Sequence, residues 1–246
     1  MTYLLIDNSN TRTKFVLASS EGLSGERRMI PTREISEERL DAELGDLQYD
    51  FAVICSVVPR VCTILENWLK TDFHVLSCKS DLGVGIDYPA PHQIGADRLA
   101  NAAGAVAYYG YPCIVVDFGT AVTFDVIGAN QCYLGGVIAP GLASMGDYLE
   151  RNTALLPAIE PTEPKHAIGK STVEAMHAGA VYGYRGLVKE ILQQIENELG
   201  CHPVVVATGG DAQLIASGVG RIDHVDSDIT LNGLRFVANR NQEAAK

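Results

Sequence analysis

Two short stretches of this 246-residue sequence combine an acid, small residues and hydroxyls in a way that suits phosphate. One is Leu5-Ile6-Asp7-Asn8-Ser9-Asn10-Thr11. The other is Val115-Val116-Asp117-Phe118-Gly119-Thr120. In each, an apolar strand runs into Asp, one further residue, a small residue and then, directly or after Asn10, a Thr, before a second apolar run. Small side chains let backbone N–H groups approach phosphate oxygens, and the Thr hydroxyl adds a donor. The Asp can hold Mg2+, directly or through water, and the metal offsets the phosphate charge. Thr208-Gly209-Gly210, after a third apolar run, is another close-approach point, where adenine or ribose can lie against backbone. Two such Asp turns facing each other would grip a nucleoside triphosphate from both sides. Each stretch alone reads first as a tight turn with a capping Asp. Their combination, in this order, points to nucleotide chemistry.

Other chemistry has less support in the residues. His92, His166 and His177 are not spaced as ligands of one metal, and no Ser/His/Asp or Cys/His spacing marks a covalent nucleophile. Glu34, Glu37, Glu38, Asp41 and Glu43 read as a solvated helix face. Asp97 follows Gly95-Ala96 where a helix opens, and an acid there complements the helix dipole whatever its function.

The elements that must position these residues alternate along the chain. Tyr3–Ile6 reads as a strand with Lys14–Ala18 as its return, and Phe51–Cys55 as a buried strand. Leu40, Leu44 and Leu47 have helical spacing, as do Val61, Ile64, Leu65, Trp68 and Leu69. Phe73–Leu76 is a short strand. Residues 79–94, punctuated by Gly83, Gly85, Pro89 and Pro91, read as loop. A helix then carries Leu99, Ala102, Ala103 and Val106 inward. Cys113–Val116 and Val122–Ile127 form a second hairpin, a helix covers Leu142–Glu150, and the longest helix spans about Thr172–Leu199. Val204–Val206 is a strand, and a last helix carries Leu231, Leu234 and Val237. Alternating strands and helices argue an α/β protein. The repeated Asp turns, 110 positions apart at Asp7 and Asp117, suggest two similar halves, each opening on a hairpin.

The net charge of −11 would repel nucleic acid, and no Lys/Arg stretch opposes it locally. An anionic ligand must then be held by backbone N–H groups, a metal and a few placed cations. No apolar run reaches the roughly 18 residues that span a bilayer, and the first residues lack a basic, signal-like start. The six cysteines are scattered, with no C-x-x-C, which favours free buried thiols and a cytoplasmic setting.

The arrangement resembles the actin and sugar-kinase superfamily, and within it the type III pantothenate kinases over nearly the whole chain. The resemblance is carried by Asp7-x-x-Asn10-Thr11-x-x-Lys14, Ser56-Val57-Val58-Pro59, Gly95-Ala96-Asp97-Arg98 separated from Tyr88 by six residues, Asp117-Phe118-Gly119-Thr120-Ala121, Gly135-Gly136 with Pro140-Gly141, Thr208-Gly209-Gly210 and Asn232-Gly233-Leu234. It implies two ribonuclease-H-like, actin-like ATPase halves, 1–111 and 112–246, with ATP in the cleft between them. It also implies phosphoryl transfer from ATP to pantothenate, the first step towards coenzyme A, in a homodimer that uses Mg2+ and K+ or NH4+. By resemblance Asp97 is the general base. The segment Asp7, Asn8, Ser9, Asn10, Thr11, Arg12, Thr13 and Lys14 holds the phosphates, with Asp7 on Mg2+ directly or through water. Thr120, Gly209 and Gly210 meet ATP, and Asp117 coordinates the monovalent cation. Tyr88, Gly95, Ala96, Asp97, Arg98 and Thr172 meet pantothenate. Arg98 suits a carboxylate or phosphate because of its planar fork, and reads otherwise as a surface ion pair. Thr172 fits equally as a helix cap.

The first turn departs from the family pattern of Asp, apolar residue, Gly, Asn, Thr. Asn8 replaces the apolar residue and Ser9 the glycine. If position 9 needed positive φ, serine would cost on the order of 1 kcal/mol there. These departures motivate an alternative, a non-catalytic regulatory protein on the same fold, akin to transcription accessory factors. A kinase or phosphatase for another small molecule is a third reading, disfavoured because 246 residues leave no room for an inserted sugar-binding domain.

Overall fold

The computed structural model describes residues 1–242. In chain order its elements are β1 (Tyr3–Asn8), β2 (Arg12–Ala18), β3 (Leu23–Pro31), α1 (Glu37–Leu44), β4 (Phe51–Ser56), α2 (Pro59–Trp68), β5 (Phe73–Val75), β6 (Gly85–Ile86), α3 (Ala96–Tyr109), β7 (Cys113–Phe118), β8 (Ala121–Ile127), β9 (Cys132–Pro140), α4 (Ala143–Asn152), α5 (Thr172–Leu199), β10 (Val204–Gly209), α6 (Ala212–Ala216), β11 (His224–Val225) and α7 (Ile229–Asn241). Contacts divide the chain into two units. The first holds Met1–Tyr111, Ala129–Gly135 and the chain from Asp228 onward. The second holds Pro112–Gly128 and Gly136–Ser227.

In the first unit β1 pairs antiparallel with β2 and parallel with β4, and the sheet order is β3-β2-β1-β4-β5. Both faces of its centre are covered, so β1 is buried at every position. Alternation assigns the faces. Leu4, Ile6, Ala52 and Ile54 join Leu40 and Leu44 of α1 and Val61, Leu65 and Trp68 of α2 in one core. On the opposite face α7 packs on β1 and β4, and α3 packs on β4. Tyr3 marks that second face, its hydroxyl donating to Gln242 at 2.9 Å.

The α3 helix is alanine-rich, which favours helix and leaves a thin surface. Ala100, Ala102, Ala103 and Ala105 are all buried. This lets α3 and α7 approach until a side chain on Gly233 would overlap the Ala100 carbonyl oxygen, and one on Gly104 the Ile229 carbonyl oxygen. A single cut after residue 111 would have placed α7 in the C-terminal half. The apolar face of α7 (Leu231, Leu234, Val237) is instead buried in the first unit, where the sheet needs a cover.

In the second unit β7 pairs antiparallel with β8 and parallel with β10, in the order β11-β10-β7-β8-β9. This repeats the order of the first sheet, strand for strand, as the duplicated Asp turns suggested. The N-terminal end of β9 belongs to the first unit, where it pairs with β6 through Gly85↔Cys132 and Ile86↔Tyr133. Residues 79–94 are therefore not wholly loop.

The 28-residue helix α5 has the expected limits. Its cap is Ser171, whose hydroxyl accepts from Glu174 N–H at 3.2 Å. Thr172 is the first helical residue and does not cap. Tyr184 of α5 lies against Phe118 of β7, ring centroids 6.4 Å apart. The Arg185 guanidinium is buried and forks onto Glu163 at 2.9 and 2.5 Å, tying the segment before α5 to the helix. The six cysteines are all free, but only Cys55 and Cys113 are buried.

An interior helical glycine usually gains about 1 kcal/mol from replacement by alanine. Gly233→Ala should do the reverse. Its methyl has no room against α3, so stability should fall by about 1–3 kcal/mol. Chemical denaturation of the two proteins reads the sign.

Candidate active site

The first turn joins β1 to β2 in the first unit. Asp7 is buried, and Lys14, its register partner on β2, reaches its carboxylate at 3.2 Å. Asp7 shares the α3 side of the sheet with Tyr3 and Leu5, so its carboxylate faces the helix that Asp97 opens. Asn8 faces the other way. Its amide donates to Thr13 Oγ1 at 2.8 Å and its carbonyl oxygen accepts from Ser56 Oγ at 2.6 Å. Thr13 Oγ1 lies 3.1 Å from Thr32 Oγ1, whose hydroxyl donates to the Ser9 carbonyl at 2.7 Å. Asn8, Thr13 and Thr32 are all buried. The unexpected amide at position 8 thus completes a satisfied polar chain beneath the turn. The side chains of Asn8 and Thr13 are engaged in that chain of hydrogen bonds.

Ser9 is not at positive φ, a conformation that Gln131 alone adopts among the described non-glycine residues. The strain considered for serine does not arise. Its hydroxyl donates to the Arg12 carbonyl at 2.9 Å, and its N–H donates to the same oxygen at 3.2 Å. Asn10, Thr11 and Arg12 form the exposed tip of the turn.

Asp97 stands in the first turn of α3. Its carboxylate folds back to accept from Arg98 N–H at 2.8 Å. Burial pushes its pKa above the usual carboxylate value, and the negative charge of Asp7 adds to the rise. The Arg98 N–H bond and the Arg98 charge oppose it. Gly95 makes this geometry possible, since a Cβ there would lie 2.5 Å from Asp97 Oδ1. Cys55, beside Asp7 in the β1/β4 register, is fully buried. Its thiol is held well above its ordinary pKa by burial, then by Asp7 and Asp97.

Arg98 lies over the ring of Tyr133, its guanidinium carbon 5.7 Å from the centroid. Tyr88 meets the same ring edge-on at 6.3 Å. Gly95 and Ala96 border a cavity of about 560 Å³ whose walls include Ser56, Val57, Lys79 and His92. Tyr88, Asp97 and Arg98 are not part of that wall.

In the second unit, Gly119 and Thr120 form the β7/β8 turn, where Gly119 N–H donates to the Ala121 carbonyl at 3.0 Å. Gly141 N–H donates to the Thr120 carbonyl at 3.1 Å, packing the start of α4 on the turn. Asp117 is half-buried on β7 beside Thr208 of β10, with Phe118 beside Gly209. Gly209 takes φ +94 against the Phe118 backbone. Asp211, just after Gly210, has its pKa raised by burial, and its charge adds to the burial that raises the Tyr184 phenol. Thr172 lies on the wall of an apolar cavity of about 420 Å³ with Met145, Leu149 and Met176.

The family model described as type III pantothenate kinase matches residues 3–194. A type III pantothenate kinase from Akkermansia muciniphila is 74% identical over 98% of this chain and the whole of its own. One from Methylacidiphilum infernorum is 41% identical over 95% of this chain and 87% of its own. The chain belongs to the type III pantothenate kinase family. Among solved structures, a Baf family transcriptional activator from Campylobacter jejuni matches with TM-score 0.66 at 20% identity, covering 98% of this chain and 99% of that one. Ta0583, an archaeal actin homologue, matches with TM-score 0.56 at 13% identity, covering 98% of this chain and 100% of its own. At these identities the likeness is one of fold, and the fold is actin-like.

For a pantothenate kinase of this family, the first unit gathers the Asp7–Lys14 pair, Asp97 and the Tyr88–Arg98 pair. The second unit gathers Asp117, Thr120, Gly209 and Gly210. Sequence reasoning passed over Tyr133, Asp211 and the Ser56–Asn8–Thr13–Thr32 chain. Ser56 stood in a family motif with no role attached. Tyr133 carried no local signal, because its contacts come from segments distant in sequence.

Among the described residues no three His, Cys, Asp or Glu side chains gather as a metal nest. The carboxylates of Asp7 and Asp97 face one locale, and Mg2+ takes one or two protein carboxylates with substrate phosphates and water. The Asp7 carboxylate fits Mg2+ in that way. The Asp117 carboxylate, beside a turn rich in backbone carbonyls, is an all-oxygen donor set that fits a hard monovalent cation.

Gly95→Ala tests how the Asp97 carboxylate is held. The added methyl meets the mobile end of a side chain, so the melting temperature should hold while the carboxylate swings away. A misplacement of about 1 Å costs on the order of 100-fold in kcat. Steady-state kinetics alongside a melting curve checks both.

Proposed function

We propose that this protein transfers the γ-phosphoryl group of ATP to the primary hydroxyl of pantothenate, giving 4′-phosphopantothenate and ADP, the first step of coenzyme A biosynthesis. The supporting observation is the meeting in one unit of the Asp7–Lys14 turn with a half-buried Asp97 whose pKa is raised. Asp97 is the general base. Its carboxylate takes the proton of the substrate hydroxyl as that oxygen bonds to the γ-phosphorus and the bond to the β,γ-bridging oxygen breaks. A raised pKa makes the carboxylate a stronger base. Lys14 and the backbone of the first turn hold the phosphates, and Thr120, Gly209 and Gly210 serve the nucleotide. Arg98 and Tyr88, with Gly95 and Ala96, hold pantothenate. Mg2+, when bound at Asp7, offsets phosphate charge. K+ or NH4+ belongs at Asp117.

The enzyme is a cytoplasmic homodimer in this reading, with no nucleic-acid partner. Exposed Met145 and Tyr148 on α4, near Thr172, suit the dimer contact. The regulatory alternative is motivated by the departures at Asn8 and Ser9, which the turn accommodates internally, and the likeness to the Baf family protein is one of fold, at 20% identity.

The test is turnover of pantothenate with ATP, Mg2+ and either K+ or Na+, with the product confirmed by mass. Asp97→Asn should lower kcat by about 10²–10⁴. A folded protein inactive with every triphosphate overturns the proposal. In the active protein, kcat/KM should fall as pH drops through the raised pKa of Asp97, earlier than for an ordinary carboxylate near 3.9. Stability should move the other way. The fold disfavours ionised Asp97, so protonation at lower pH relieves a penalty. Asp97→Asn should therefore be at least as stable as the unmodified protein at neutral pH, with the difference shrinking as the pH falls.

A further inference from the structure

Tyr133 sits on β9 with its ring almost fully buried. Three contacts converge on it in the first unit. Its carbonyl accepts from Asp87 N–H at 2.9 Å, which anchors the residue before Tyr88. The Tyr88 ring stands edge-on to it at 6.3 Å and 71°. The Arg98 guanidinium lies over its face at 5.7 Å. Tyr88 follows β6, whereas Arg98 opens α3, so their side chains share no backbone frame. Tyr133 supplies one.

We propose that Tyr133 is a positioning residue for pantothenate. Its ring face holds Arg98 so that the planar fork is presented to the anionic end of the substrate. Its ring edge and backbone hold Tyr88 against the same molecule. The proposal rests on the reading of Arg98 and Tyr88 as pantothenate residues. An arginine that must clamp a carboxylate loses rotamer freedom as it does so. Stacking on a ring removes part of that freedom beforehand, so substrate binding loses less. The attraction comes from the negative face of the ring, so it depends on the electron density of the ring.

The test replaces Tyr133 with phenylalanine and then with progressively fluorinated phenylalanines, which keep the shape but drain the ring face. Pantothenate binding is titrated directly, and KM is measured for each substrate. Tyr133→Phe is the reference against which the fluorinated rings are compared. Successive fluorines should raise the pantothenate Kd and KM stepwise, by about two- to fivefold in all, while kcat and KM for ATP stay level. In an Arg98→Gln background the same series should be flat, since the two residues act as one unit. A flat series with Arg98 present, or equal shifts for both substrates, overturns the proposal while leaving the kinase reading intact. Unmodified protein that neither binds nor phosphorylates pantothenate overturns both.

Discussion

The parallel pairing of β1 with β4 is the constraint from which the first unit is built. It sets Asp7 beside Cys55 and Asn8 beside Ser56. Side chains on a strand alternate faces, so two consecutive residues are sent to opposite duties. Asp7 goes to the α3 side, where Asp97 and Lys14 share its charge field. Asn8 goes to the α1 and α2 side, where it closes a buried hydrogen-bonded chain with Ser56, Thr13 and Thr32. A one-residue slip in register would bury a carboxylate in the apolar core and turn an amide towards α3.

Burial at this junction governs the chemistry. Two carboxylates face one region, so ionising Asp97 is harder than in water, and burial makes it harder still. The Cys55 thiol between them stays neutral and adds no charge. Lys14 balances part of the field at Asp7. A protein of net charge −11 can then receive a polyanion, because backbone N–H groups and a few placed cations act at short range, where the distant surface charge is screened.

The family departures at positions 8 and 9 follow the same physics. A buried amide is tolerated only when its donor and acceptor are both used, and Ser56 and Thr13 supply the partners for Asn8. Ser9 keeps ordinary backbone angles and turns its hydroxyl onto Arg12, within the turn itself. Both are internal accommodations of the turn, with no strain that a glycine would have to relieve.

Much of this molecule was legible in sequence, because the signals were local. Apolar runs ending in Asp, a small residue and Thr marked both hairpins, and the spacing of Met176, Val181, Tyr184, Val188 and Leu192 marked the long helix. The motif around Asp97 pointed to the family. Other features depended on segments far apart in the chain. The last helix returned to the first unit, where it packs on β1 and β4, and Gly104 and Gly233 let it meet α3. Ser171, one residue earlier than expected, took the cap because its backbone is extended while Thr172 is already helical. The outer strand β3 is too exposed for apolar alternation to show it, and β6 is two residues long. Tyr133 gained its place from Tyr88 on one side and Arg98 on the other. Residue type and spacing determine which groups the chain has to offer. Strand register and close packing decide which way each one faces, since those depend on neighbours that no local stretch of sequence contains.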